Sequence, residues 1–173
     1  MVTVLNLNPI TKLNRQQFYQ LCQVNPELQL ERNPQGELII MSPVGGESGK
    51  KEANLIFDIS LWNHQSQLGV VFSSSTIFSL PSGGDRSPDV AWVSLNKWQN
   101  LTQKERDGFP PICPDFVIEL RSKSDRLAPL QDKMREYLSS GLLLGWLINP
   151  QQKQVEIYRP NRAVEMVNMP VVL

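Results

Sequence analysis

Asp115-Phe116-Val117-Ile118-Glu119-Leu120-Arg121 is an apolar strand with an acid lodged near its end. Side chains alternate between the faces of an extended chain, so Phe116, Ile118 and Leu120 share one face and Val117, Glu119 and Arg121 share the other. Val117 starts that second face as buried as the first, and Glu119 emerges from it at the edge of a core. A buried carboxylate without a partner is costly. Glu119 is therefore either a structural acid paired with Arg121 or part of a site.

Upstream, Ser87-Pro88-Asp89-Val90-Ala91-Trp92-Val93 sets a second acid at the start of a second apolar strand. Pro88 ends pairing and fixes the backbone there, which holds Asp89 at a bend. Two carboxylates at the ends of neighbouring strands suit a hard cation such as Mg²⁺ or Mn²⁺. Such an ion polarises a phosphate oxygen and acidifies a bound water. The remaining need is a base or cation to steady developing charge. Downstream, Arg121, Lys123 and Lys133 are the candidates. Lys123 sits in a Ser-Lys-Ser-Asp loop and reads as solvated. Lys133 flanks the stripe of Leu130, Met134, Tyr137 and Leu138, where a lysine ordinarily snorkels to solvent. The neighbouring acids turn the choice toward chemistry.

The rest of the chain supplies the frame. The spacing predicts a helix over 11–24 that stops at Asn25-Pro26, then a hairpin of 28–31 and 37–41 around Asn33-Pro34-Gln35-Gly36. A long helix is expected over 47–65, with Leu55, Ile56, Ile59 and Trp62 on one face. A strand is expected over 70–80, broken by the loop 81–87, and a short helix within 95–107. Strand 115–120, helix 130–139 ending at Gly141, and a closing hairpin of 142–148 and 155–158 follow. The order αββαββ(α)βαββ is a mixed α/β sheet core flanked by helices. The 173 residues read as one domain, with the helix and hairpin of 1–43 packed on a core of 44–160.

Composition excludes several classes. Cys22 and Cys113 match no metal spacing and read as free thiols of a reducing compartment. No apolar run is long enough for a membrane span, and the start Met1-Val2-Thr3-Val4 lacks a basic signal region, so the expectation is a soluble cytoplasmic chain. His64, the single histidine, argues against histidine-based nucleases and zinc hydrolases. Lysine plus arginine equals aspartate plus glutamate at 17 each, which gives DNA binding no support from net charge. Gly45-Gly46 and Gly83-Gly84 fit no phosphate-binding loop. Trp62, Trp92 and Trp146 are expected in the core, and Trp98 on an exposed insert.

Ser87-Pro88-Asp89-Val90, then Pro114-Asp115-Phe116-Val117-Ile118-Glu119-Leu120-Arg121-Ser122, then Leu130-Gln131-Asp132-Lys133-Met134-Arg135-Glu136-Tyr137 and Gly145-Trp146-Leu147-Ile148-Asn149-Pro150 together resemble the Uma2 (DUF820) family. Met41-Ser42-Pro43 and Gly45-Gly46-Glu47 extend the likeness upstream. That family is common in cyanobacteria and is grouped with the restriction-endonuclease-like PD-(D/E)XK nucleases. The resemblance implies a metal-dependent DNA endonuclease acting as a homodimer, with Asp89 and Glu119 as signature acids. Arg121 stands where the signature has lysine, and arginine does not readily give up a proton. The migrated role then falls to Lys133. Glu47 matches an acid that some members use as an extra metal ligand. Its rival is Glu52, which shares the helical stripe of Leu55 and Ile56, and Glu47 is preferred. Lys123 replaces a usual proline, which is expected to loosen the turn after the strand. The ending Met169-Pro170-Val171-Val172-Leu173 comes earlier than in many relatives and suggests a missing final strand. The alternative function is a catalytically inactive member of the fold serving as a binding or oligomerisation module.

Overall fold

The computed structural model describes residues 2–7 and 10–169. Within these described residues, two sheets and five helices make up the fold. The larger sheet has six strands in the order β11-β10-β9-β8-β7-β4. These are β4 (Gly69–Ser73), β7 (Val90–Ser94), β8 (Phe116–Leu120), β9 (Leu144–Asn149), β10 (Gln154–Tyr158) and β11 (Glu165–Asn168). All its pairings are antiparallel except β8 with β9. A parallel pair needs a crossover, and helix α5 (Leu127–Ser139) provides it. The smaller sheet has the order β1-β3-β2-β6-β5, from β1 (Val2–Leu5), β2 (Leu30–Arg32), β3 (Leu38–Met41), β5 (Phe78–Ser79) and β6 (Asp85–Arg86).

The local chemistry accounts for most element ends. Helix α1 (Arg15–Val24) begins four residues later than expected, because Asn14 and Gln17 form a reciprocal capping box. The turn of hairpin β2–β3 needs a left-handed residue, and Gly36 supplies it at φ +83°. Helix α2 (Gly46–Ser66) lies close to its expected span. Helix α5 starts at Leu127 rather than 130, since Pro129 falls in its first turn, where the missing N–H costs nothing.

Four expectations need correction. The strand foreseen over 70–80 is two strands in different sheets, separated by a turn in which the Thr76 N–H bonds the Ser73 carbonyl at 3.0 Å. The single helix foreseen in 95–107 is two, α3 (Leu95–Gln99) and α4 (Gln103–Asp107), the second capped by Thr102. Trp98 is not an exposed residue but packs on the core, with its ring 5.1 Å from Phe72 and Arg106 over its face, whereas Trp62, expected inside, is 46% exposed. Two strands escaped the sequence reading. They are β1, which pairs with β3, and β11, which extends the closing hairpin. Pro170 to Leu173 lie outside the described residues.

The main core lies between α5 and the six-stranded sheet, where Val117, Met134, Tyr137, Leu142 and Leu147 are fully buried. A second cluster of Phe18, Leu30 and Leu38 ties α1 to the smaller sheet. Between the sheets runs a short segment, Ser87-Pro88-Asp89, which carries the chain from β6 into β7. It brings the ends of both sheets to one place. Among the described residues, no helix is long and apolar enough to cross a membrane.

Candidate active site

Asp89 and Glu119 meet because β7 and β8 run antiparallel with Val90 opposite Ile118. That register sets the residue before Val90 beside the residue after Ile118. Asp89 is fixed further by its Oδ2, which accepts the Leu120 N–H at 2.6 Å. It is only partly buried, whereas Glu119 is 3% exposed. The site therefore opens to solvent on the Asp89 side.

Helix α5 supplies the next layer. Lys133 and Tyr137 are one turn apart and point the same way. Lys133 Nζ lies 2.8 Å from Glu119 Oε1, and the Tyr137 hydroxyl donates to that same oxygen at 3.0 Å. Glu119 thus faces α5 along with Val117, as strand alternation requires. Arg121 does not pair with it. The chain turns after Leu120, and the Arg121 guanidinium bonds the Asp125 carbonyl at 3.1 Å and Asn149 Oδ1 at 3.4 Å. The following turn, expected to be loose, is closed by Ser122 N–H to Asp125 Oδ2 at 3.0 Å and by Asp125 N–H to the Ser122 carbonyl at 3.2 Å.

The smaller sheet contributes an acid that sequence reasoning missed. Glu31 on β2 is 2% exposed. Its Oε1 lies 2.8 Å from Lys133 Nζ and accepts the Ser87 N–H at 2.9 Å, while Oε2 accepts from Arg86 at 3.0 Å. Arg86 also donates to Glu136 Oε2 through Nε at 2.9 Å and Nη2 at 2.5 Å. Lys133 completes its set with the Ser87 carbonyl at 3.1 Å, so its three ammonium protons all have oxygen partners. A signal was present in the sequence only as a glutamate amid an apolar hairpin, and nothing local said which helix it would meet.

Burial and charge set the protonation of this cluster. Burial pushes Asp89 well above the usual carboxylate range, and the nearby Glu119 adds to it; Lys133 and the Leu120 N–H offset only part. Glu119 is also raised, by burial and Glu31 against the pull of Lys133. Burial pushes Glu31 up too, yet Lys133 and Arg86 together leave it below its ordinary value. For Lys133, burial favours the neutral amine, but Glu119 and Glu31 prevail and hold it charged. The same lysine thus sits between Glu31, which two cations hold below its ordinary value, and an acid pair whose charged forms burial and acid neighbours oppose.

Of the two further acids, the structure brings only one near. Glu52 on α2 accepts the Ser74 hydroxyl at 2.5 Å and lies close enough to raise Asp89. Glu47 is exposed at the start of α2, on the wall of a neighbouring groove. Among the described residues, no three His, Cys, Asp or Glu side chains form a group that could hold a metal.

One detail ties β6 to α5. Glu136 Oε1 is buried without a hydrogen-bond partner and packs against Gly84, where an added Cβ would lie 1.8 Å from it. Arg86 grips the other oxygen, so Glu136 has little room to swing away. Gly84→Ala is expected to cost about 1–3 kcal/mol, the range for overpacking a filled interior, read as a lower urea midpoint at unchanged slope.

Comparison with known proteins agrees with this architecture. No curated protein matches the chain. Among solved structures, the fold is similar to that of a protein from Anabaena variabilis whose crystal structure is described as "a putative nuclease belonging to DUF820". The two share 20% identity and superpose with a TM-score of 0.73, over 85% of this chain and 80% of that one. The family described as "Putative restriction endonuclease" matches residues 15–172. On that match, and with the mixed α/β fold in place, the chain belongs to the Uma2 family.

Proposed function

We propose that the chain is a Mg²⁺- or Mn²⁺-dependent DNA endonuclease that hydrolyses a phosphodiester bond at Asp89, Glu119 and Lys133. The observation that carries this reading is a buried, charged lysine gripping one acid of a pair whose members are both raised by burial and acid neighbours. The family description supports it.

The donor set fits a hard divalent cation. Two crowded carboxylates on adjacent strands repel each other, and Mg²⁺ characteristically binds through one or two carboxylates while keeping waters and substrate oxygens. Asp89 and Glu119 would hold it, with Glu52 better placed than Glu47 as the assisting acid. When bound, the ion polarises a phosphate oxygen and acidifies a water. Tyr137 and Lys133 orient Glu119 by bonding its Oε1. Lys133 stays charged, so its part is to meet negative charge building on the phosphate rather than to accept a proton. Arg121 holds the turn beyond the site, and the migrated lysine leaves the signature position free for that structural use. The homodimer implied by the fold is also a proposal. It is supported by Phe57 and Leu61, 64% and 46% exposed and one turn apart on α2.

Plasmid, linear duplex and single-stranded DNA incubated with the purified chain test the reading. Cleavage is expected with Mg²⁺ or Mn²⁺, is lost in EDTA, and falls by about 10²–10³-fold in Lys133→Met, as for loss of one charge-stabilising group. Cleavage that survives EDTA, or no cleavage of any substrate, overturns it. The latter result favours the inactive binding module.

A further inference from the structure

Where β8 ends, beside Asp89 and Glu119, the surface opens into a groove of about 440 Å³. One wall is the start of α2 with its preceding loop, the other is 120–124, and Pro150 and Gln151 close the far side. Leu120 connects groove and site directly, since its N–H is bonded by Asp89. Three cations line the groove, Lys51, Arg121 and Lys123, against the single acid Glu47. In a chain of zero net charge this is a local excess of positive charge. Arg121 is partly engaged by the turn. Lys51 and Lys123 are exposed, and among the described residues neither ammonium makes a hydrogen bond or ion pair.

We propose that this groove seats the sugar–phosphate backbone of the DNA strand being cut, next to the scissile phosphate, with Lys51 and Lys123 each contacting a phosphate. The inference rests on the nuclease reading for what lies at the groove's end. Its own support is the charge, the adjacency and the lining. No aromatic side chain lines the groove, so it offers no platform for base stacking. Contacts of lysine to phosphate fix register and orientation without reading bases. The groove is of a size that takes a strand's backbone and not a whole duplex. Sequence-independent, salt-sensitive binding is the consequence.

Fluorescence anisotropy with labelled oligonucleotides in EDTA, as a function of KCl, tests this apart from cleavage. For the full chain, the log–log salt slope on duplex DNA is expected to fall by about 0.9 for each of Lys51→Ala and Lys123→Ala, and by about 0.7 on single strands. Duplexes of different base composition are expected to bind alike. Both lysines are exposed and unpaired, so circular dichroism and melting are expected to match wild type and certify the fold. Wild-type slope and affinity in the double variant, or a base preference that disappears with the lysines, overturns the proposal. Lysine-dependent binding without metal-dependent cleavage overturns the nuclease reading alone. Cleavage at unchanged KM in the double variant overturns the groove alone.

Discussion

Glu31→Ala is expected to lower the unfolding free energy by about 3–5 kcal/mol, the cost of removing one partner from a buried ion pair. Glu31 carries more than a pair. It neutralises Lys133 and Arg86 at once and accepts the Ser87 N–H, across the seam between the two sheets. Alanine leaves both cations buried with a counter-charge missing and one N–H unpaired. Glu31→Gln keeps an acceptor for Ser87 and most of the volume, so it is expected to lose less. The pH dependence has a definite sign. Burial raises the Glu31 carboxyl, but the two cations bring it below its ordinary value. A lowered folded pKa means that this contribution is present above the unfolded value, about 4.3, and is lost as pH falls through the folded one. Urea unfolding from neutral to acid pH is expected to show that loss in wild type and a flatter profile in Glu31→Gln. A cost under about 1 kcal/mol for Glu31→Ala, the value of an exposed pair, contradicts the network.

Asp89→Asn is expected to abolish cleavage, by at least about 10²-fold, while making the metal-free protein more stable. Asparagine keeps an oxygen for the Leu120 N–H and removes a charge that burial and Glu119 oppose. Here the sign is opposite to that at Glu31. With a folded pKa raised above the unfolded value, about 3.9, the contribution of Asp89 is fully present below the unfolded pKa. It is lost as pH rises through the folded one. In EDTA, wild type is therefore expected to lose stability as pH rises above the unfolded value of about 3.9, and Asp89→Asn to lose less. Added Mn²⁺ reverses the ranking, because a ligand bound by the folded state alone raises its stability. Melting curves with EDTA and with Mn²⁺ read both effects. An asparagine variant that is less stable than wild type in EDTA, and that Mn²⁺ stabilises as strongly, removes the basis for this assignment.

The contrast between these two acids marks how far the sequence could be read. Alternation along β8 placed Glu119 on the Val117 face, and helical spacing placed Lys133 beside the stripe of α5, so their meeting was half legible. Local periodicity says which face a residue occupies but not which distant strand will cover it. That is why Glu31 looked like an ordinary hairpin residue, and why a stripe-flanking Lys133 was weighed as a solvated one. The preference for Glu47 over Glu52 came from motif position. Glu47 lies exposed on the groove wall, while Glu52, within the apolar stripe, is bonded by Ser74 and near enough for its charge to raise Asp89. The division of 70–80 between two sheets was invisible for the same reason. A Val- and Phe-rich stretch with Ser and Thr satisfies strand propensity throughout, and only the larger fold decides where it changes sheets.

The most direct test is a crystal of the wild-type chain soaked in Mn²⁺ and measured for anomalous scattering. A peak is expected between the carboxylates of Asp89 and Glu119, with Lys133 still bonded to Glu31. A soaked crystal with no peak there, or with manganese bound only at Glu47, contradicts it.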